Sequence, residues 1–335
     1  MTPPPKKMCS QVKIGTHNGH FHCDEVLACW MLKQLPQYKE ATIVRSRNPD
    51  VYNECDIVVD VGGKFDPSSH RYDHHQKEFA ETMNSLDSSN KWTTKLSSAG
   101  LVYFHFGRQV IQTFYKESNE KVLQLLYNKM YQNFIEEVDG VDNGVNQYDG
   151  NPKYKVTTTI ASRVNSFNPL WNEDDADCKK EEAGFYKAMQ AVGEVFEDKI
   201  NYYLKAWLPA RKVVEEAFES RKEVDPSGKI VKLNMSCPWK EHLFDIEQEN
   251  NIGGEILYVL YPDKGSNWRI QCVPKALDSF TNRKSIKKEW CGVRDKELDA
   301  LSGIEDCIFV HSGGFIGGNK KFEGALKMAQ LSVQN

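Results

Sequence analysis

Short apolar runs alternate with helical periodicities through the first quarter of the chain. Val12 to Thr16, Ala41 to Arg45 and Asp56 to Val61 are brief apolar or β-branched runs, and they predict three strands. Between the first two, Asp24 to Leu35 places apolar residues at Val26, Leu27, Trp30 and Met31 and stops at Pro36, which predicts a helix. Alternation of this kind belongs to a parallel sheet flanked by helices, in which ligands gather beyond the carboxyl ends of the strands. A Ser/Thr/Asn-rich loop at 84–95 leads into a helix capped at Ser97 or Ser98 and running through AGLVYFHFGRQVIQTFY. A further helix spans about Glu120 to Glu137 and ends in EEVDGVDNG, where Gly140 and Gly144 predict a turn presenting Asp139 and Asp142.

From Lys179 to Lys222 the pattern is helical and amphipathic, interrupted at Pro209, and predicts a bridge between domains. DPSGK (Asp225 to Lys229) is a turn by composition. Beyond it, Ile230 to Met235, Glu255 to Tyr261, Trp268 to Val273 and Cys307 to Val310 read as strands, with helices near Asp295 to Leu301 and Phe322 to Leu331. The expected class is therefore α/β. A parallel-sheet domain covers 11–205, with the helical bridge at about 179–222, and a smaller mixed α/β domain covers 223–335.

Composition narrows the function more than the fold. Hydrophobic residues make up 40% and charged residues 27% of 335, as in ordinary globular domains. A net charge of -4 argues against broad nonspecific binding of nucleic acid, which depends on many cationic contacts to phosphate. It leaves room for a small phosphate site. The nine cysteines form an odd set with no CxxC pair, so a disulfide framework or thiolate zinc site is not expected, and a reducing compartment is. No apolar run approaches the ~18 residues of a membrane span. The start MTPPPKKMCSQ is basic, free of acids and proline-rich, and reads as a disordered tail rather than a targeting helix.

Candidate chemistry concentrates early. Six of nine histidines precede residue 76, shared between THNGHFHCDE (16–25) and SSHRYDHHQKEF (68–79), while CDIVVDVGG (55–63) delivers Asp60 at the end of an apolar run. A hydrolytic centre with two divalent cations needs imidazole and carboxylate ligands arriving from separate strand ends, one carboxylate being shared. His17, His22 and Asp24 follow the first strand, Asp60 the third and His74 the next loop, with Asp139 or Asp142 from the acidic turn. Mixed oxygen and nitrogen donors favour Mn²⁺ over Mg²⁺ or Zn²⁺. His20, His70 and His105 are expected to be ordinary surface residues.

The stretch RYDHH, with a histidine-rich first motif and an aspartate after the third strand, resembles the DHH phosphoesterase superfamily. Six motifs in order (IGTHNGHFHCDE, IVVDVGG, HRYDHHQ, LSSAGLVYFHFG, EEVDGVDNG and FVHSGGFIGG) resemble more closely its Myg-type exonuclease branch, the melanocyte-proliferating-gene family, across nearly the whole chain. The resemblance implies a 3′–5′ exonuclease acting on RNA or short oligonucleotides in nucleus or mitochondrion, with the cytoplasm open. It implies that His17, His22 and Asp60 hold one metal and Asp24, Asp60, His74 and the acid near 139 the other, Asp60 bridging. The superfamily usually has aspartate where His22 stands, giving the first site a more neutral ligand set. Asp73 would orient its neighbours and His75 would reach the scissile phosphate or the leaving oxygen.

HSGGFIGGNK (311–320) suits an anion as a glycine-rich loop ahead of a helix. By resemblance, His311, Gly313, Gly314, Gly317 and Gly318 belong to a loop that holds substrate. Arg163, Arg283 and Lys320 are candidate phosphate contacts. Two rivals accompany the exonuclease reading: a pyrophosphatase or small nucleotide phosphatase on the same centre, and a non-catalytic binding or scaffold protein that has kept the fold. The oligomeric state stays open.

Overall fold

The computed structural model describes residues 11–116, 119–173 and 178–334. The tail read as disordered lies almost wholly outside them. The chain divides into two compact units, 1–201 and 202–335.

In the first unit the strands are β1 (Lys13–Thr16), β2 (Thr42–Arg45), β3 (Ile57–Val59), β4 (Phe65–Asp66) and β5 (Arg71–Tyr72). Their order across the sheet is β2-β1-β3-β5-β4. β1 runs parallel to β2 and β3, and β3 parallel to β5, so three adjacent strands end side by side at one edge. β4 returns antiparallel to β5. The helices are α1 (Cys23–Lys33), α2 (Pro49–Tyr52), α3 (Met83–Leu86), α4 (Ser98–Phe114), α5 (Glu120–Met130), α6 (Glu136–Asp142), α7 (Ile160–Asn165) and α8 (Cys178–Tyr202).

Residues 23–32 of α1 are all buried, which explains its weak amphipathic stripe: it is covered all round. Trp30 packs against Phe196 of α8 at 5.0 Å, and Gly193 makes this approach possible, since a Cβ there would lie 2.0 Å from the indole nitrogen. The acidic stretch expected to be a turn is helix. A π-helical turn at Tyr131–Ile135 joins α5 to α6, and α6 carries both Asp139 and Asp142 before ending at Gly144, whose φ is +65°. Gly140 is tolerated inside α6, so glycine was a misleading stop signal there. Insertion of the wider turn also re-aims the side chains that follow it.

The second unit has helices α9 (Leu208–Glu219), α10 (Arg221–Val224), α11 (Lys240–Glu249), α12 (Asp295–Ser302) and α13 (Phe322–Val333). Its strands are β6 (Ile230–Lys232), β7 (Tyr258–Pro262), β8 (Trp268–Cys272), β9 (Cys307–Val310) and β10 (Ile316–Asn319), ordered β6-β7-β8-β10-β9. β7 shows the period of two: Tyr258 and Leu260 join the core under α13, whereas Val259 joins Val214, Phe218 and Leu243 on the opposite face. The stretch expected to bridge two domains is shared between them. Phe185 and Phe196 of α8 pack in the first unit, Val214 and Phe218 of α9 in the second. The expected interruption near Pro209 takes the form of a π-helical turn at Tyr203–Trp207 just before α9, whose first turn holds the proline.

The C-terminal glycine segment also differs from expectation. Gly317 and Gly318 lie inside β10, paired with both β8 and β9, rather than in a loop before the last helix. Close neighbours select glycine there: a Cβ on Gly318 would sit 2.3 Å from the Arg269 guanidinium. Only His311 to Phe315 forms a turn, with Gly314 at φ +64°.

Candidate metal centre

Each of the three neighbouring parallel strands delivers a ligand type immediately after its last residue. Thr16 of β1 is followed by His17, Val59 of β3 by Asp60, and Tyr72 of β5 by Asp73, His74 and His75. Asp60 has φ +59°, a left-handed backbone that an aspartate tolerates at modest cost and that turns its carboxyl into the crevice. From the helix side, α1 supplies Asp24 and Glu25 in its first turn and α6 supplies Asp142 in its last.

Asp60 stands between the imidazoles. Its Oδ2 lies 3.3 Å from His17 Nε2 and its Oδ1 lies 3.3 Å from His74 Nε2. His74 Nε2 is also 3.2 Å from Asp142 Oδ2 and 3.8 Å from Asp24 Oδ2, while His17 Nε2 is 3.1 Å from Glu25 Oε1. Ligand atoms of His17, His22 and Glu25 form one group within 4.8 Å of one another, and those of Asp24, His74 and Asp142 another. Among the described residues, Asp24 Oδ1, Asp60 Oδ1 and both ring nitrogens of His74 are buried without a hydrogen bond. Buried oxygens and nitrogens left in that state cost several kcal/mol unless something else completes them. A cation with mixed oxygen and nitrogen ligands would do so, and the residues present fit one.

Neighbours orient the ligands. Ser98 donates to Asp24 Oδ2 through its hydroxyl at 2.8 Å, leaving Oδ1 for the crevice. His17 Nδ1 lies 3.1 Å from the Asn18 carbonyl, which directs Nε2 to the acids. Asp73 accepts the Gly63 N–H at 2.6 Å and lies 2.8 Å from His75 Nδ1, so His75, 63% exposed in its side chain, keeps Nε2 for the cleft. Two hollows open over this cluster. One, about 730 Å³, runs past His74, His75 and Asp142 toward Lys95, Ser162 and Asn165; the other, about 340 Å³, passes Asp60 toward Arg47, Gly62 and Gly63.

The structure thus brings His17, His22, Asp24, Asp60, His74, His75 and Asp142 together. Asp139 it does not. That carboxyl is buried and fully engaged, accepting from the Ser97 N–H at 3.0 Å, the Ser97 hydroxyl at 2.7 Å and the Tyr131 hydroxyl at 3.0 Å. Ser97 therefore begins α4 without capping it through its side chain. Glu25 was not expected. It reads as a helix-capping acid, and it does accept the His22 N–H at 2.9 Å, yet it also faces His17. The spacing of His22 and Glu25 around a helix start was the available signal.

Other candidates lie elsewhere. Arg283 is bound on both sides of its guanidinium by Glu247, at 2.6 and 2.7 Å, in a nearly buried pair within the second unit, so it is a structural residue rather than a free phosphate contact. Lys320 is exposed and 3.9 Å from Asp306. His311 accepts the Gly313 N–H at 3.0 Å and packs on Phe315 in the turn between β9 and β10. Arg163 is exposed on α7, over the ring of Phe167.

A family model labelled MYG1 exonuclease and described as an uncharacterised protein family, UPF0160, matches residues 13–333. The chain belongs to this MYG1 family. It is 52% identical to the MYG1 exonuclease of Homo sapiens over 338 residues, covering 99% of this chain and 89% of the relative. A MYG1 protein of Caenorhabditis elegans is 47% identical over 326 residues (96% and 95%), and one of Saccharomyces cerevisiae 42% identical over 338 (98% and 96%).

Within this MYG1 family member, burial and close opposite charges set the proton affinities of the cluster. Burial, and then its acidic neighbours, push Asp24 and Asp142 up, Asp142 to about 8. Burial alone would lower the two histidines, but the Asp60 carboxylate beside each ring and the adjacent acids raise His74 to about 9 and His17 to about 10. Asp60 goes the other way: burial opposes its ionisation, and the two imidazoles holding it overcome that and keep it ionised. Groups with raised folded values bind more protons folded than unfolded, so their stabilisation is present at low pH and fades as pH rises toward 8–10. A cation needs these ligands deprotonated and must displace the protons. We therefore expect Mn²⁺ to raise Tm more at pH 8.5 than at pH 6.5, with proton release on binding, checked by thermal scans and calorimetry in buffers of different ionisation enthalpy. A shift independent of pH would contradict this ligand set.

The loop carrying His17, His20 and His22 is itself clamped. Asn168 accepts the Phe21 N–H at 3.0 Å and donates to the Phe21 carbonyl at 2.9 Å, imitating a strand partner. Arg45, lying over Phe185, donates to the Gly19 carbonyl at 2.6 Å and to Glu181 at 2.7 Å. Arg45→Met should loosen this loop and weaken Mn²⁺ binding, which a metal titration measures.

Proposed function

We propose that the chain is a metal-dependent phosphodiesterase, an exonuclease that degrades RNA from its 3′ end and releases nucleoside 5′-monophosphates. The observation that carries this reading is the buried group around Asp60 in which carboxylate oxygens and imidazole nitrogens lack hydrogen bonds. The printed name of the human relative, an exonuclease, and the likeness of the motifs to DHH phosphoesterases support the same class. His17, His22 and Asp60, joined by Glu25, would hold one divalent cation, and Asp24, Asp60, His74 and Asp142 the second, with Mn²⁺ preferred to Mg²⁺ or Zn²⁺. When bound, two such cations supply Lewis acidity that activates water and neutralises charge developing on the phosphodiester.

The chain's own residues do the rest. His75, whose hydrogen bond to Asp73 raises its pKa, carries more positive charge near neutrality than a free imidazole and presents Nε2 to the scissile phosphate or the leaving oxygen. Asp73 fixes that ring, and its second oxygen ties it to the glycine turn after β3. Lys95 lines the same cleft and offers a charge to the phosphate. In the second unit, His311 with Gly313 and Gly314 forms the turn best suited to hold a phosphate by backbone N–H groups.

Incubation with Mn²⁺ of a 5′-labelled oligoribonucleotide, and separately of pyrophosphate and mononucleotides, tests the reading. RNA should shorten stepwise from its 3′ end with 5′-monophosphates as products, and pyrophosphate should persist. Hydrolysis of pyrophosphate or mononucleotides with the RNA intact would assign a phosphatase instead. Cation binding with no hydrolysis at all would leave a non-catalytic protein.

A further inference from the structure

Directly after Asp142, residues 145–159 (VNQYDGNPKYKVTTT) run without helix or strand until Thr159 caps α7. Both ends of this segment are set in the wall of the larger cleft: Asp142 and Asn143 line it on one side, Ala161, Ser162 and Asn165 on the other. Connections of this length without helix or strand are uncommon in a compact unit, and functional binding loops are one of the two main kinds.

The segment leaves in water what a fold normally buries. Tyr154 is 77% exposed and Tyr148 46%, with Val156 at 59%. Neither tyrosine makes a ring contact or side-chain hydrogen bond among the described residues. A hollow of about 740 Å³ is bounded by this segment's own residues, between Val145 and Val156. Tyr154 lies between Lys153 and Lys155, Lys95 lines the cleft, and Arg163 is on α7 next to the lining residue Ser162. None of these four cations has an ion-pair partner among the described residues, although the chain as a whole carries net charge -4. Unpaired cations beside an acidic cluster are arranged for a polyanion that must reach it. Exposed rings between those cations suit flat, stackable groups on that polyanion.

We infer that residues 145–156 form a stacking platform for single-stranded RNA, on which Tyr148 and Tyr154 hold bases next to the scissile end while Lys153 and Lys155 follow the phosphates. This rests on the phosphodiesterase reading and adds to it the element that favours a strand over a mononucleotide. Polar amides at Asn146, Gln147 and Asn151 together with two lysines fit a nucleotide chain better than a protein partner.

The test compares wild type with Tyr148→Ala/Tyr154→Ala, Tyr148→Phe/Tyr154→Phe and Lys153→Ala/Lys155→Ala in the full chain. Binding is read by anisotropy of a fluorescein-labelled phosphorothioate octaribonucleotide, and chemistry by Mn²⁺-dependent hydrolysis of bis(p-nitrophenyl) phosphate. The alanine pair should bind the octamer about tenfold or more weakly, from roughly 1–3 kcal/mol of stacking per base. The phenylalanine pair should bind within about twofold of wild type, and the lysine pair should show a shallower salt dependence. Hydrolysis of the small diester and the Mn²⁺-induced Tm shift should stay unchanged in all three. Unchanged octamer affinity in the alanine pair, equal losses with phenylalanine and alanine, or no octamer binding by wild type would each overturn the platform. Failure of wild type to hydrolyse any diester would remove the catalytic reading while the anisotropy still decides the platform.

Discussion

Asp60→Asn should abolish hydrolysis and the stabilisation by Mn²⁺ while leaving the fold intact. Asparagine keeps the side-chain volume and tolerates the left-handed backbone at φ +59°, so the substitution isolates the charge; alanine would add backbone strain of roughly 1–2 kcal/mol. The carboxylate is the group that both imidazoles approach at 3.3 Å, and no other acid of the cluster faces His17 and His74 at once. Losing it should cost far more than the roughly 10–100-fold associated with an outer partner of a metal ligand. The check is kcat on labelled RNA with Mn²⁺ and Tm with and without the metal. Full activity in this variant would remove the bridging assignment.

Asp142→Ala and Asp139→Ala should fail in opposite ways. Asp142 opens to the cleft and lies 3.2 Å from His74 Nε2, and without a cation it is held protonated by burial and by Asp24. Its removal should eliminate activity and the Mn²⁺ response yet cost the apo protein little. Asp139 meets three donors, from Ser97 and Tyr131, and fills space that only Gly100 leaves open, a Cβ there lying 2.4 Å from its oxygens. Alanine at 139 orphans those donors and should destabilise the apo protein by on the order of 3 kcal/mol. Residual folded protein should still bind Mn²⁺. Urea unfolding in chelator, paired with metal titration, separates the two. Equal stability losses, or loss of metal response at 139 alone, would reverse the assignment.

Much of this centre was readable from the chain because parallel strands place chemistry at their ends. His17 and Asp60 each follow an apolar run, His74 follows β5, and β1, β3 and β5 terminate side by side. The two-residue strands β4 and β5 were too short to register as a pattern, so the loop holding Asp73 and His74 is in fact anchored in the sheet. The choice between Asp139 and Asp142 was hidden by the π-helical turn, since its register appears only once the helix is built. Glu25 was concealed by its capping role. Arg283 offered no local hint of its partner, Glu247, which lies on α11 with two strands between them in sequence. The glycines at 317 and 318 looked like loop residues because a backbone closely packed on both sides leaves the same compositional trace as a turn.

Anomalous diffraction from crystals soaked in Mn²⁺ tests the central claim most directly. The account predicts two peaks, on either side of the Asp60 carboxylate, one among His17, His22 and Glu25 and the other among Asp24, His74 and Asp142. No peak in this crevice, or a single ion that leaves Asp60 untouched, would contradict it.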